Sequence, residues 1–242
     1  MPDYKEIYAS RADDYERLIT YEDYQASLLP ALNRIRPLAG LDVVELGAGT
    51  GRLTRLVAPV AQSIQAFDAS THMLKVAQVM LKRSGLHNWH IAAADHRRLP
   101  IRSQIADVAL AGWTLAHLFA WSGPAWRDEA ERVLAELRRV LRPGGTIIVL
   151  ETFGTGYETP HPPENLTAYY SFLEQGGFSS TWIRTDFRFE SLAQAEALVH
   201  FFFGPELAEQ VVARNWVILP ECTGIWWLNL LRWTLSVAVD SE

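Results

Sequence analysis

The chain has 242 residues, long enough to bury a large hydrophobic core without disulfides or a structural metal. Hydrophobic residues make up 49% and charged residues 21%, a balance that excludes intrinsic disorder. The net charge of −6 argues against a phosphate-backbone partner, and the single cysteine, Cys222, excludes an internal disulfide or a multi-cysteine metal site.

Residues 3–36 read as helical: Tyr4, Ile7 and Tyr8 are followed by Tyr15, Leu18 and Ile19, close to the helical period. A second helix is predicted over residues 21–35, stopped by Pro37 and Gly40. The first ten residues are polar and charged, without the apolar centre of a secretory signal. The apolar stretches at 198–203 and 226–231 fall well short of the ~20 residues that span a bilayer. A cytoplasmic protein without a membrane partner is expected.

The run at 41–47 is short, apolar and ends in glycine, as a buried parallel strand does. A helix is predicted over 52–60, strands over 63–67 and 89–93, and a helix over 71–84 between them. A fourth strand is expected at 107–111. An amphipathic helix follows over 128–141, stopped by Pro143-Gly144-Gly145, and a fifth strand at 146–150. Alternating strands and helices imply right-handed crossovers and a mostly parallel sheet covered on both faces. Beyond residue 151 the pattern loosens. Helices are predicted over 164–175, 191–200 and 205–213, and strands over 179–189 and 217–227. Residues 191–215 read as an insertion lying over the sheet.

Ligands of such sheets bind outside the carboxyl ends of the strands. Glu45, Asp68, Asp95 and Glu151 all fall at predicted strand ends. Between the first strand and its helix stands Glu45-Leu46-Gly47-Ala48-Gly49-Thr50-Gly51. Glycines at alternate positions let the backbone approach a ligand closely. Glu45 beside them suits a cationic amino-acid end and would repel a pyrophosphate. Asp68 lies about 20 residues downstream, where related folds hold a ribose diol. A nicotinamide dehydrogenase would instead carry G-x-G-x-x-G.

Taken together these residues resemble the class I, Rossmann-like, S-adenosylmethionine-dependent methyltransferases. Glu45 to Gly51 resembles the family's E-x-G-x-G-x-G. Phe67-Asp68-Ala69-Ser70 with Met73-Leu74 resembles its D-x-S-x-x-M-L. Ala94-Asp95 with Leu99-Pro100 resembles D-x-x-x-L-P, Asp107-Val108 resembles the start of its fourth strand, and Leu141 to Gly145 resembles L-x-P-G-G. The resemblance covers roughly residues 35–152. It implies an α/β fold with a seven-stranded, mostly parallel sheet, helices on both faces and an antiparallel last strand. It also implies one domain over 1–242: an N-terminal helical lid (1–38), a cofactor core (39–152) and the remainder of the sheet with its helical insertion (153–242). By the same resemblance S-adenosyl-L-methionine is held by Glu45, Gly47, Ala48, Gly49 and Gly51 at its methionine end. Asp68 and Ala69 take the ribose, and Met73, Asp95 and His96 the adenine. Gly112 closes the site, and Tyr8 and Tyr15 reach it from the lid.

Trp113 and His117 follow the fourth strand, where the family places its acceptor. His117 reads as a base or a substrate-binding group, with a packing histidine as the alternative. Trp113 and Thr152 are candidate walls of the acceptor pocket. The aromatic C-terminal third, including Trp182, Phe187, Phe202, Phe203 and Trp227, supplies material for an apolar cavity. The expected reaction is methyl transfer to a small organic acceptor, catalysed by alignment and desolvation. Nucleic acid is not expected as a partner, nor is a metal; a monomer or homodimer is. A non-catalytic cofactor-binding protein and a methyltransferase of macromolecules are the alternatives.

Overall fold

The structure, a computed structural model, describes residues 3–230. In chain order it begins with α1 (Tyr4–Ser10), α2 (Ala12–Ile19) and α3 (Leu28–Ile35). These lead into β1 (Asp42–Leu46), α4 (Arg52–Val57), β2 (Ser63–Asp68), α5 (Thr71–Arg83) and β3 (Trp89–Ala93). β4 (Ala106–Gly112), α6 (Leu115–Ser122), α7 (Trp126–Val140) and β5 (Leu141–Thr155) complete the first half. Then come α8 (Thr167–Gln175), β6 (Ser179–Arg184), β7 (Phe187–Arg188), α9 (Leu192–Phe203), α10 (Pro205–Ala213), β8 (Ile218–Leu219) and β9 (Glu221–Asn229). Among the described residues no helix is long and apolar enough to cross a membrane.

Seven strands form one sheet in the order β3-β2-β1-β4-β5-β9-β6. All pairs from β3 to β5 are parallel, and β9 runs antiparallel to both of its neighbours. This is the Rossmann-like arrangement that the resemblance implies. Its apolar runs are buried on two faces. Val43, Val108, Leu110, Ile148, Leu150 and Ile225 pack against α3 and α4 on one side. Val44, Leu46, Ala109, Ala111, Ile147, Val149 and Trp226 pack against α7 and α8 on the other. The period-two alternation puts neighbouring residues of one strand into opposite layers.

α6 is not among the expected elements, and five others differ from the sequence expectation. The helix expected over 21–35 starts only at Leu28, because Asp23 adopts a left-handed φ of +57° and its carboxylate accepts from the Ser27 and Leu28 amides at 2.7 and 3.1 Å. Pro143-Gly144-Gly145 does not precede the fifth strand but forms a bulge within it, between the pairs Ala106–Leu141 and Val108–Thr146. Arg142 in that bulge binds Asp42 (2.9 Å) and Asp107 (2.8 Å), tying the starts of β1 and β4 together. The strand expected over 179–189 breaks at Thr185-Asp186 into β6 and β7, because Asp186 turns onto Arg184 and the Glu221 amide. The last strand is Glu221–Asn229 rather than 217–227, since β8 leaves the sheet to pair with β7. The insertion, framed by β7 and β8, packs on α2 rather than over the sheet. Leu18 joins Phe187, Phe189, Leu198, Val199 and Val211 in its small core.

Candidate functional site

The loop from Gly47 to Gly51 turns the chain from β1 into α4 at the carboxyl edge of the sheet. Gly47 has φ +69°, and a Cβ there would collide with Thr114. Asp68 at the end of β2 pins the loop. Its Oδ2 accepts from the Gly49 amide at 2.8 Å and its Oδ1 from the Ser70 amide at 2.7 Å. A Cβ on Gly49 would stand between Met73 and Tyr15.

Against this edge lies a cavity of about 850 Å³. Of the residues singled out in the sequence, Tyr8, Tyr15, Gly47, Gly49, Asp68, Ala69, Met73, Asp95, His96, Gly112, Trp113 and His117 line it. Glu45, Ala48 and Gly51 are not among its lining residues; the Ala48 side chain packs with Ala66 and Leu74, and Gly51 faces Ala77. Glu45 is 1% exposed beneath the loop, where the Thr54 hydroxyl donates to its carboxyl at 2.6 Å. Burial pushes Glu45 up to about 8. Asp95 is not presented alone: Arg97 binds it through side chain and backbone and lowers it to about 2. The His72 and His96 Nε2 atoms are buried without a hydrogen-bond partner. Such atoms invite a ligand. The cavity thus offers glycine-loop backbone at one end, the Asp68 carboxylate in the middle and the Met73 side chain with His72 and His96 beyond it, while Glu45 lies buried outside the lining.

The lid closes over this cavity. The Ser70 hydroxyl donates to the Tyr8 carbonyl at 2.7 Å, and the Tyr8 hydroxyl shares a 2.9 Å hydrogen bond with His117 Nε2. Burial lowers His117 to about 4, so its ring is neutral at neutral pH, and burial keeps Tyr8 a phenol. His117 also stacks on Trp121, with ring centroids 4.8 Å apart.

A second cavity, of about 460 Å³, lies on the far side of Tyr8, Tyr15, Trp113, His117 and Trp121. Those five side chains line both cavities. Thr152 lines the second one, as do Phe202 and Phe203 from α9. Glu151 lines it too, while its carboxyl accepts from the Ala116 amide at the start of α6 at 3.0 Å. Trp113 has φ +49°, rare for a bulky residue. Its ring lies under the Arg52 guanidinium, 4.6 Å from the ring centroid.

Sequence reasoning missed the polar floor of this cavity: Glu22, Arg52 and Glu221. Arg52 is ion-paired with Glu22, and the Thr152 hydroxyl donates to Glu221 at 2.9 Å. The one available signal was Glu221 itself, a lone carboxylate at the head of an apolar strand run.

Comparisons with known proteins agree with this geometry. Residues 44–149 match the family model described as a methyltransferase domain. Demethylmenaquinone methyltransferase of Lactococcus lactis subsp. lactis is 28% identical over 61% of this chain and 58% of its own length. Malonyl-[acyl-carrier protein] O-methyltransferase of a Marinomonas species is 32% identical over 60% of this chain and 51% of its own. The chain thus spans between half and three-fifths of these relatives' length. Among solved structures, a SAM-dependent methyltransferase from Aquifex aeolicus aligns with a TM-score of 0.53 and 14% identity, covering 93% of both chains. Phosphoethanolamine N-methyltransferase 2 of Haemonchus contortus, solved with S-adenosyl-L-methionine, aligns with a TM-score of 0.60 and 16% identity over 94% of this chain and 58% of that one. At these identities the structural likeness speaks to the fold.

Proposed function

We propose that this chain, whose residues 44–149 match a methyltransferase-domain model, is a class I S-adenosylmethionine-dependent methyltransferase that transfers a methyl group to a small organic acceptor held in the second cavity. One observation carries the reading: two cavities adjoin at the same five side chains, so a donor in one and an acceptor in the other lie next to each other across them. S-adenosylmethionine, when bound, supplies a methyl carbon on a positively charged sulfur. Glu45 holds its amino group and the Gly47–Gly51 loop its methionine end. Asp68 takes the ribose hydroxyls, and Met73, with Asp95 and His96, takes the adenine.

The protein's own contribution is alignment and exclusion of water. α1 and α2 place Tyr8 and Tyr15 over the junction, and Trp113 walls it from the sheet side. His117 holds the Tyr8 hydroxyl and so fixes the lid. Its neutral ring lines both cavities and stands within reach of an acceptor as a binding group. The acidic chain and the small size of the second cavity favour a free metabolite over nucleic acid or a protein surface. We read the protein as a cytoplasmic monomer or homodimer that works as one unit over residues 1–242.

The test is incubation with methyl-labelled S-adenosylmethionine and, separately, total RNA, a protein lysate and a metabolite extract. Label in the low-mass fraction is the expected result, and label confined to RNA or protein would overturn the reading.

A further inference from the structure

The second cavity joins an aromatic wall to an acidic floor. Tyr4, Tyr15, Trp113, Trp121, Phe202 and Phe203 supply rings. Glu22, Glu151 and Glu221 supply three carboxyls, against the single guanidinium of Arg52. Arg52 is already committed to Glu22 and to the Trp113 ring. Glu151 is spent on the amides that open α6 and on the Tyr169 hydroxyl. Glu221 differs. It is 3% exposed, one oxygen accepts from Thr152, and Oε2 is buried with no hydrogen-bond partner. A buried acceptor left open in a ligand-sized cavity calls for a donor from the ligand.

Resting on the methyltransferase reading, we propose that the acceptor is an amine on an apolar body, with its nitrogen held by Glu221 and the surrounding rings. The charge balance selects this class. Oxygen, sulfur and carbon nucleophiles react best after losing a proton to become anions, and an anion gains no counter-charge from carboxyls that burial holds protonated, whereas an ammonium beside Glu221 favours its ionised form. An amine attacks as a neutral group and becomes cationic, so carboxylate and ring faces stabilise the charge that develops. Methylation at that nitrogen forms one N–C bond at the expense of the donor's C–S bond. The electron pair of that bond stays on sulfur, and the one proton released passes to the Glu221 carboxylate, which the bound ammonium had ionised. Arg52 keeps its Nη2 buried and without a partner, so an ether, hydroxyl or carbonyl oxygen elsewhere on the same amine has a donor.

The groups that face Glu221 are consistent with a proton carrier. Glu22 from the turn after α2, Arg52 from α4 and Thr152 and Thr155 from β5 surround it, and its amide donates to Asp186. Burial, with Glu22 nearby, raises the Glu221 carboxyl to about 8. That value suits exchange of a proton with a buried amine near neutral pH.

The test uses the full chain saturated with S-adenosylhomocysteine and three probes of one shape: 2-phenylethylamine, 2-phenylethanol and 3-phenylpropanoate. Tryptophan fluorescence reports binding, since Trp113 and Trp121 line the cavity. The amine is expected to bind about tenfold or more tighter than the alcohol, with the carboxylate weakest. Glu221→Gln keeps the oxygen that accepts from Thr152 and is expected to bring the amine to the level of the alcohol. Equal binding of amine and alcohol, a preferred carboxylate, no binding of any probe, or an amine preference that survives Glu221→Gln would overturn the proposal. The wild-type ranking decides even if the variant does not fold. Failure of S-adenosylhomocysteine to bind in the loading step would instead overturn the methyltransferase reading.

Discussion

Glu45 carries a chemical consequence of its burial. In the folded chain without a cation nearby its carboxyl is pushed up to about 8, so it holds a proton at neutral pH. A cofactor amino group placed beside it favours the ionised form. Cofactor binding at neutral pH is therefore expected to release up to about one proton. Calorimetry in two buffers of different ionisation enthalpy reads that number directly, and Glu45→Gln should abolish the difference between buffers. Asp68 is the second test at this scale. Its oxygens already take the Gly49 and Ser70 amides, so they hold the loop while keeping lone pairs for the ribose. Asp68→Ala is expected to weaken cofactor binding by ~1.5–3 kcal/mol, roughly 10- to 100-fold. The melting temperature should fall as well, because the Gly49 and Ser70 amides lose their acceptor. An unaltered dissociation constant would show that the ribose lies elsewhere.

At the scale of elements the lid is the informative piece. α1 is held to the rest of the protein by the Tyr8–His117 and Ser70–Tyr8 hydrogen bonds and by Tyr4 against Phe202. Tyr8→Phe removes one of these, a change of ~1 kcal/mol. Faster amide exchange over residues 4–10 is expected, with the sheet unaffected. Unchanged exchange would mean that the Ser70–Tyr8 hydrogen bond and ring packing hold the lid without it. The central strands and the glycine loop were legible in the sequence because their signals are local: apolar runs such as 43–46 and alternate glycines depend on no distant partner. The insertion's location was not legible. Leu198 and Val199 read equally well against a sheet or a helix, and only the pairing of Phe187 with Leu219 turns them towards Leu18. The floor of the second cavity was hidden for the same reason. Arg52 and Glu22 are thirty residues apart and Glu221 lies far beyond both. Only tertiary packing brings the three side chains to one cavity.

For the whole molecule, Glu45, Glu151 and Glu221 set a pH dependence. Each is fully buried and raised from 4.5 to about 8. Between those values the folded chain binds more protons than the unfolded chain, so stability falls as pH rises across the window. Asp42, Asp95 and Glu136 are lowered by arginine and hydroxyl partners, and their contribution is lost as pH falls into the acid range. The melting temperature of the ligand-free protein is expected to peak in mild acid, near pH 5, and to decline towards pH 8. Saturating S-adenosylhomocysteine should flatten the alkaline side, because its amino group favours the ionised Glu45. A melting curve that rises from pH 5 to pH 8 would contradict the burial of these carboxyls. The order of strands also has a consequence in time. β9 is the last strand of the sheet to be synthesised, yet it pairs with β5 on one side and β6 on the other. Until residues 221–229 emerge from the ribosome, both neighbours present an unpaired edge, a template for wrong pairing between nascent chains. The strands that border the larger cavity are complete much earlier, with β4. A growing chain can therefore shape that cavity while Glu221, and with it part of the second cavity's lining, is still to be made.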